Sequence, residues 1–406
     1  MPLAITEPLY DPLVTSWRGE PYETYRVLRD EHPVYHCGPR DTYVLSRFDD
    51  VRQAARDWKR LSSTPSVDLD ETGDAMLGAG SFIDTDPPDH ARMRKVIRAR
   101  FNPVSIRQRF EDAIRRDISR RVEQLLERGG GDFARDLAWG LPVAMVCMLM
   151  GVPTEDVSRL RPWFEDLASR CEGDPTPPAH ASQAAASLRD YLCESVNERV
   201  RHPQDDLLGD LASGMRAGTL SADEVRGMCV LLCLAGTETT ASLIGNSLYL
   251  LGQHLPARDS LSRNPTQIPR AVEEVIRLES PVQYLARTAT TDFEMHGVTV
   301  NRGSRVVLLW GAANRDERAF PAADTIDFGR TKSRHVGFGE GIHHCIGAPL
   351  ARMECRMVLE AIVPHVDYAF DGPVVRMPSH SARGFSSLPV ACKGGRRASV
   401  TPGGSG

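Results

Sequence analysis

The sequence predicts a mainly α fold with a smaller β region, in one domain over residues 1–393 followed by a disordered Gly/Ser/Arg tail, 394–406. Three observations predict it. Ser105 to Arg128 carries Ile106, Phe110, Ile114, Ile118, Val122 and Leu125/Leu126 as one stripe at helical spacing. Ser221-Ala222-Asp223-Glu224 is a capping box that opens an apolar helix reaching about His254. At ~1.5 Å per residue that helix spans ~50 Å, enough to cross the domain. Val282 to Leu309 instead alternates as strands do, broken at His296-Gly297 and Asn301-Arg302-Gly303.

Composition bounds the function. The chain has 406 residues, a net charge of -5, 41% hydrophobic and 25% charged residues, as ordinary soluble proteins do. It lacks the basic excess of a nucleic-acid binder. Met1 to Glu7 has neither the positive start nor the apolar core of a signal peptide. The longest apolar stretch, Val230 to Leu251, holds Glu238 in its middle and reads as a buried helix, not a membrane span. Nine cysteines without regular spacing suggest free thiols in a reducing cytosol. The expectation is a cytoplasmic monomer that binds neither nucleic acid nor membrane.

In chain order, Pro21 to Glu31 is a helix, and Pro33–Tyr35 and Thr42–Ser46 are short strands around a Gly38-Pro39-Arg40-Asp41 turn. Asp49 to Trp58 is a short helix. Leu61 to Ser81 has no periodicity, and a loop that long is uncommon unless functional or disordered. Its charged residues, Asp68, Asp70, Glu71 and Asp74, are all acidic. A helix opened by Pro87-Pro88 puts His90 and Arg94 at i, i+4 on one face, either a plain basic face or a place for carboxylates. Trp139 to Met150 is apolar nearly all round, a core helix with Gly151 as its C-terminal stop. Asp156–Cys171 and His180–Arg201 are two more helices, split by Gly173-Asp174-Pro175-Thr176-Pro177-Pro178.

The centre of the long helix reads Ala235-Gly236-Thr237-Glu238-Thr239-Thr240. Glycine and β-branched threonines weaken a helix, and threonine hydroxyls bond back to the preceding turn and bend it. A carboxylate in an apolar helix is costly unless used or paired. The stretch is either a partly solvated kink or an acid and an alcohol that relay protons. Further on, Glu274 and Arg277 stand at i, i+3, a pairing too common to signify alone.

His335 to Gly341 is glycine-rich, a single Cys345 follows, and a helix-forming run begins with Pro349. Glycines allow positive φ and close approach to a flat ligand. A cysteine where a helix starts faces unpaired N–H groups, so Cys345 is expected to be a thiolate, suited to a nucleophile or a soft metal ligand. A zinc site on His343, His344 and Cys345 is a poor reading, because adjacent residues cannot all face one tetrahedral ion.

The pattern Phe338-x-x-Gly341-x-His343-x-Cys345-x-Gly347-x-x-Leu350-Ala351-Arg352 resembles the cysteine-ligand loop of the cytochrome P-450 family, the haem-thiolate monooxygenases. The resemblance extends over roughly residues 10–393 and implies a haem b (iron protoporphyrin IX) whose axial ligand is Cys345. It implies propionate contacts from His90, Arg94, Arg287 and His343, shielding of the sulfur by Phe338, a loop shaped by Gly339, and haem contacts at Ala235 and Gly347. Glu238 and Thr239 match the family's oxygen-activating pair, and Glu274 with Arg277 its core ion pair. The third, basic partner usual in the family is replaced by Thr325, so another partner is expected.

The resemblance further implies that the 61–81 loop and the helices flanking 173–178 cover a substrate pocket. Its expected lining is Phe82, Leu231, Leu234, Ala235, Val282, Gln283, Leu285 and Phe385. Mostly apolar residues suit a small neutral molecule such as a natural-product intermediate. A small aromatic acid ranks second, because the 68–74 loop offers no base. A haem-thiolate sensor without turnover is a third possibility, as is peroxide in place of O2. The chain has no flavin or iron–sulfur motif, so electrons are expected from a separate ferredoxin and ferredoxin reductase. Arg92, Lys95, Arg98, Lys332, Arg334, Arg352 and Arg356 are the candidate docking charges.

Overall fold

The computed structural model describes residues 8–15, 19–69, 80–330 and 334–394. Its N-terminal part alternates helix and strand: α1 (Tyr22–Glu31), β1 (Val34–Cys37), β2 (Thr42–Leu45), α2 (Phe48–Arg56) and β3 (Leu61–Ser62). Helices then dominate: α3 (Asp89–Ile97), α4 (Pro103–Glu127), the short β4 (Gly130–Asp132), α5 (Gly140–Met150), α6 (Val157–Leu167), α7 (Ala179–Arg201), α8 (Leu207–Arg216), α9 (Ala222–Gln253), α10 (Leu255–Arg263) and α11 (Ile268–Leu278). The rest is β5 (Leu285–Ala289), β6 (Phe293–Met295), β7 (Val298–Val300), β8 (Arg305–Leu308), the single turn α12 (Trp310–Ala313), α13 (Ala348–Ile362), β9 (Val366–Phe370), β10 (Val375–Arg376), β11 (Phe385–Ser387) and β12 (Pro389–Gly394). The fold is therefore mainly α with small sheets, as expected.

The largest sheet has the order β1-β2-β8-β5-β3, with β2 and β8 parallel. β12 lies between β4 and β9. Gly394, placed in the tail from sequence, closes β12; residues 395–406 lie outside the described residues.

Local chemistry explains the main helices. Asn102 caps α4 by accepting the Val104 N–H at 2.9 Å, and the predicted stripe is buried except for the half-buried Leu126. The capping box of α9 is complete: Ser221 Oγ accepts the Glu224 N–H at 3.2 Å, and Glu224 Oε2 accepts the Ser221 N–H at 2.8 Å. α9 runs for 32 residues and packs against α5, α7, α11 and α13, which makes it the axis of the helical core. Its most apolar stretch is 78% buried, as a core helix should be.

Two helices, α8 and α10, escape the sequence reading. Gly209 and Gly214 break the pattern of α8; packing requires the first and favours the second. A Cβ at Gly209 would lie 2.1 Å from the Gln204 carbonyl, and one at Gly214 3.0 Å from Leu220. Pro256 follows α9 so closely that α10 reads as a helix end.

The α6–α7 connector, 168–178, is exposed at Cys171, Glu172, Asp174 and Thr176 and half-buried at most of its other positions. Its backbone is held by the Gly173 N–H to Leu13 O (3.1 Å), Arg40 Nη2 to Gly173 O (3.1 Å) and His380 Nε2 to Cys171 O (2.7 Å). Asp11 orients Arg40 through its Nε at 3.0 Å.

Candidate active site

The Cys345 loop is fixed at several points. Asn314 Oδ1 accepts the Val336 N–H at 2.8 Å, the Val336 carbonyl accepts from Gly339 at 2.8 Å, and the Phe338 carbonyl accepts the Cys345 N–H at 2.9 Å. Gly339 and Gly341 take φ of 70° and 71°, which only glycine adopts freely. A Cβ at Gly341 would also press to 2.8 Å on the Ala55 carbonyl of α2. Pro349 lies in the first turn of α13, as expected.

The thiol itself departs from expectation. Burial pushes its pKa up, and this outweighs the amides of Gly347 and Ala348 and the charges of Arg94 and Arg352, which pull it down. Helix amides alone do not make Cys345 a thiolate; a coordinated cation is what ionises such a thiol.

Four predicted side chains gather at one place. The His90 and His343 rings are 4.4 Å apart between centroids. His343 Nε2 lies 3.0 Å from Ser63 Oγ, and Arg94 Nη2 donates to the His344 carbonyl at 2.6 Å. Arg287 is buried, and its Nη1 donates to its neighbour Ala286 O. Burial, then the charges of Arg287, His90 and Arg94, drives the His343 pKa down to about 2. Burial, partly offset by Asp86 and Asp84, lowers Arg287 to about 10. Burial and Arg94 lower His90, whose Nε2 is buried with no hydrogen-bond partner. Crowded donors that destabilise one another's charge suit a dianionic ligand such as a pair of carboxylates.

The middle of α9 is uncovered where its neighbours are buried. Ala235 is exposed and Leu234, Gly236 and Thr239 are half-buried, between Leu231–Cys233 and Thr240–Leu248, which are buried. Despite Gly236 and the three threonines, α9 is α-helical through this stretch. Thr237 Oγ1 donates to Cys233 O at 2.8 Å and Thr239 Oγ1 to Ala235 O at 2.7 Å, so the hydroxyls bond back without breaking the helix. Gly236 serves packing, since a Cβ there would lie 2.6 Å from Val146 of α5. Glu238 is buried at 8% exposure. An uncovered helix face, a cysteine on a glycine loop and a cluster of crowded donors with the unpartnered His90 Nε2 fit a haem with its two propionates.

The family model "Cytochrome P450" matches residues 267–389. Cytochrome P450 130 of Mycobacterium tuberculosis is 36% identical over 360 residues, covering 84% of this chain and 87% of that protein. This chain belongs to the cytochrome P450 family. Vitamin D(3) 25-hydroxylase of Pseudonocardia autotrophica is 34% identical, covering 93% of this P450 and 94% of its own length. The solved structure of the Bacillus subtilis 168 bacillaene polyketide synthase cytochrome P450 PksS superposes with a TM-score of 0.85 at 29% identity, covering 95% of this chain and 100% of that one. The family is one of monooxygenases, and its cofactor is haem b.

In this P450 the Glu274–Arg277 pair is fully buried, with Arg277 Nε and Nη2 donating to Glu274 at 2.9 and 2.8 Å. Arg277 Nη1 also donates to the carbonyls of Asn314 (2.9 Å) and Ala323 (2.6 Å). Thr325 contributes only its carbonyl, at 3.2 Å. The missing basic partner is Arg330, whose Nε donates to Glu274 Oε1 at 3.3 Å. Asn314 joins this brace to the Cys345 loop. Neither Arg330 nor Asn314 was singled out from sequence, nor was Ser63 beside His343.

Among the pocket candidates, Leu231 stands one turn before Ala235 on α9 and Leu234 beside it. Phe82 lies 6.2 Å from the His90 ring; Leu285 opens β5 and Val282 is bridged to Ala382 just before it, both partly buried. Two candidates are corrected. Gln283 is buried in the core: its Oε1 accepts from Tyr25 Oη at 3.1 Å and its Nε2 donates to Ser280 O at 2.6 Å. Phe385 packs on Tyr249, 4.6 Å between centroids, and against Gly245, ~15 Å along α9 from Ala235. The basic cluster is also thinned. Arg92 is held by Glu224 and Asp89, Arg352 by Glu273 and Arg356 by Glu360. Lys95, Arg98 and Arg334 are exposed; Lys332 and loop residues 70–79 lie outside the described residues.

Proposed function

We propose that this P450 inserts one oxygen atom of O2 into, or otherwise oxidises, a small neutral organic molecule such as a natural-product intermediate, with electrons from a separate ferredoxin and its reductase. The observation that carries the reading is the uncovered Ala235–Thr239 face of α9, with the acid and alcohol beside it. Haem b bound through the Cys345 sulfur supplies oxygen activation, which thiolate donation favours. His90, Arg94, Arg287 and His343 hold its propionates. Glu238 and Thr239 stand where protons are passed: the Thr239 hydroxyl, anchored at the Ala235 carbonyl, keeps its lone pairs available to accept another donor. Phe82, Leu231, Leu234, Val282 and Leu285 exclude water and favour an apolar substrate. The oxidation of vitamin D(3) and the polyketide synthase association named for its relatives support a neutral, largely apolar substrate class.

The test is spectral and kinetic. The reduced protein with carbon monoxide is expected to show the absorption of a thiolate-ligated haem, and a library of neutral compounds to include some that shift its spin state. Thr239→Ala is then expected to uncouple electron consumption from product formation. A variant with unchanged coupling would overturn the proton role. Turnover with peroxide alone, and none with a ferredoxin donor, would overturn the electron route.

A further inference from the structure

Glu273 sits beside the buried Glu274 but points elsewhere. Its Oε1 accepts Arg352 Nε at 2.7 Å, and its Oε2 accepts Arg352 Nη2 at 2.9 Å and His335 Nε2 at 3.1 Å. The Gly337 N–H donates to His335 Nδ1 at 3.2 Å, so the proton of that ring is on Nε2 and points at Glu273. Arg352 in turn lies over Phe338, its guanidinium carbon 4.3 Å from the ring centroid. The Phe338 carbonyl accepts the Cys345 N–H, and Arg352 is one of two cations whose field reaches the sulfur. Glu273 and Arg352 also line a surface hollow of about 380 Å³ with Pro349 and Val104. A half-exposed ion pair contributes little to stability, so the value of this one lies in where it keeps its charges.

We propose that Glu273 is a positioning residue that holds Arg352 on the Phe338 ring, balances its charge beside the Cys345 sulfur, and thereby sets the reduction potential of the haem. The inference rests on Cys345 as the haem ligand. Groups around a metal's ligands tune the metal through charge and hydrogen bonds. Reduction takes one electron from an external reductant onto the iron and adds one negative charge to the site. A carboxylate nearby opposes that step, and an uncompensated guanidinium favours it.

The experiment is a spectroelectrochemical titration of the haem-loaded full chain with dithionite and mediator dyes. The reduced carbon monoxide spectrum is recorded first: loss of the thiolate signature in the unaltered protein would overturn the ligand assignment, separately from the present inference. Glu273→Gln is expected to move the potential positive and Arg352→Gln to move it negative. The double variant is expected to return close to the starting value, since the cycle isolates the pair. Single shifts of the same sign, or no shift, overturn the proposal, even if the melting temperature falls. If Glu273→Gln fails to hold haem, Glu273→Asp retains the charge at shorter reach, and a smaller positive shift is expected; none would overturn the proposal.

Discussion

The loop that carries Cys345 and the connector between α6 and α7 are both irregular, yet they are held by different means. The Cys345 loop hangs on buried side chains: Asn314 takes its first amide, and Arg277 takes the Asn314 carbonyl while sharing Glu274 with Arg330. Each of those groups would be left charged or unpaired in the core if its partner went, which is costly. The connector is tied through its own backbone to Leu13, Arg40 and His380, and only Ala168 and Pro177 of its residues are buried. Its tie to Arg40 is partly exposed and exchanges for water at lower cost. The protein thus spends its rigid chemistry on the loop of the proposed haem ligand, and holds the connector mainly by contacts to its backbone.

The sharpest way to break this contrast is at the ligand. Cys345→Ser is expected to abolish the thiolate-type carbon monoxide spectrum and bring oxidation to background, measured spectrally and by product formation. Next is Arg277→Ala, which strands Glu274 in the core. It is expected to cost about 3–5 kcal/mol in urea unfolding and to lower haem content, with Arg330→Ala costing about 1 kcal/mol.

An intermediate case is Asp84, which tethers the segment before the undescribed loop by accepting the Val67 N–H at 2.9 Å. Burial raises its pKa to about 6, against the pull of the Val67 amide, Ser81 and two arginines. The native state therefore holds a proton that the unfolded chain has released, so the stability Asp84 confers is full below about pH 4 and is lost as pH rises through 6. Asp84→Asn is expected to be more stable than the parent at pH 7 by roughly 2–3 kcal/mol, with the difference vanishing near pH 4 in thermal melts. The smallest effect belongs to the connector. Arg40→Ala is expected to change stability by at most ~1 kcal/mol, yet to speed both entry and exit of a spin-shifting ligand in stopped flow.

The same contrast decides what was legible in the sequence. Features written in neighbouring residues were readable: the α4 stripe, the α9 capping box and the Cys345 pattern all appear in the fold as expected. Features completed by distant residues were not. Gln283 looked like a pocket residue because its partner Tyr25 is 258 positions away. Arg92 looked like a free surface charge because Glu224, 132 positions on, neutralises it. Arg330 was hidden because the brace is set by where the 314–330 segment folds back on α11, not by spacing along it. Gly236 read as a flaw in a helix, and only the approach of Val146 gives it a purpose.

Of the nine free cysteines, Cys171 is the exposed one, and it lies on the connector. Cys193 is half-covered, and burial raises its pKa, which slows its reaction with electrophiles. A maleimide fluorophore should therefore mark Cys171 ahead of the others in the unaltered chain. This P450 carries its own attachment point for testing whether the α6–α7 connector moves as a ligand comes and goes.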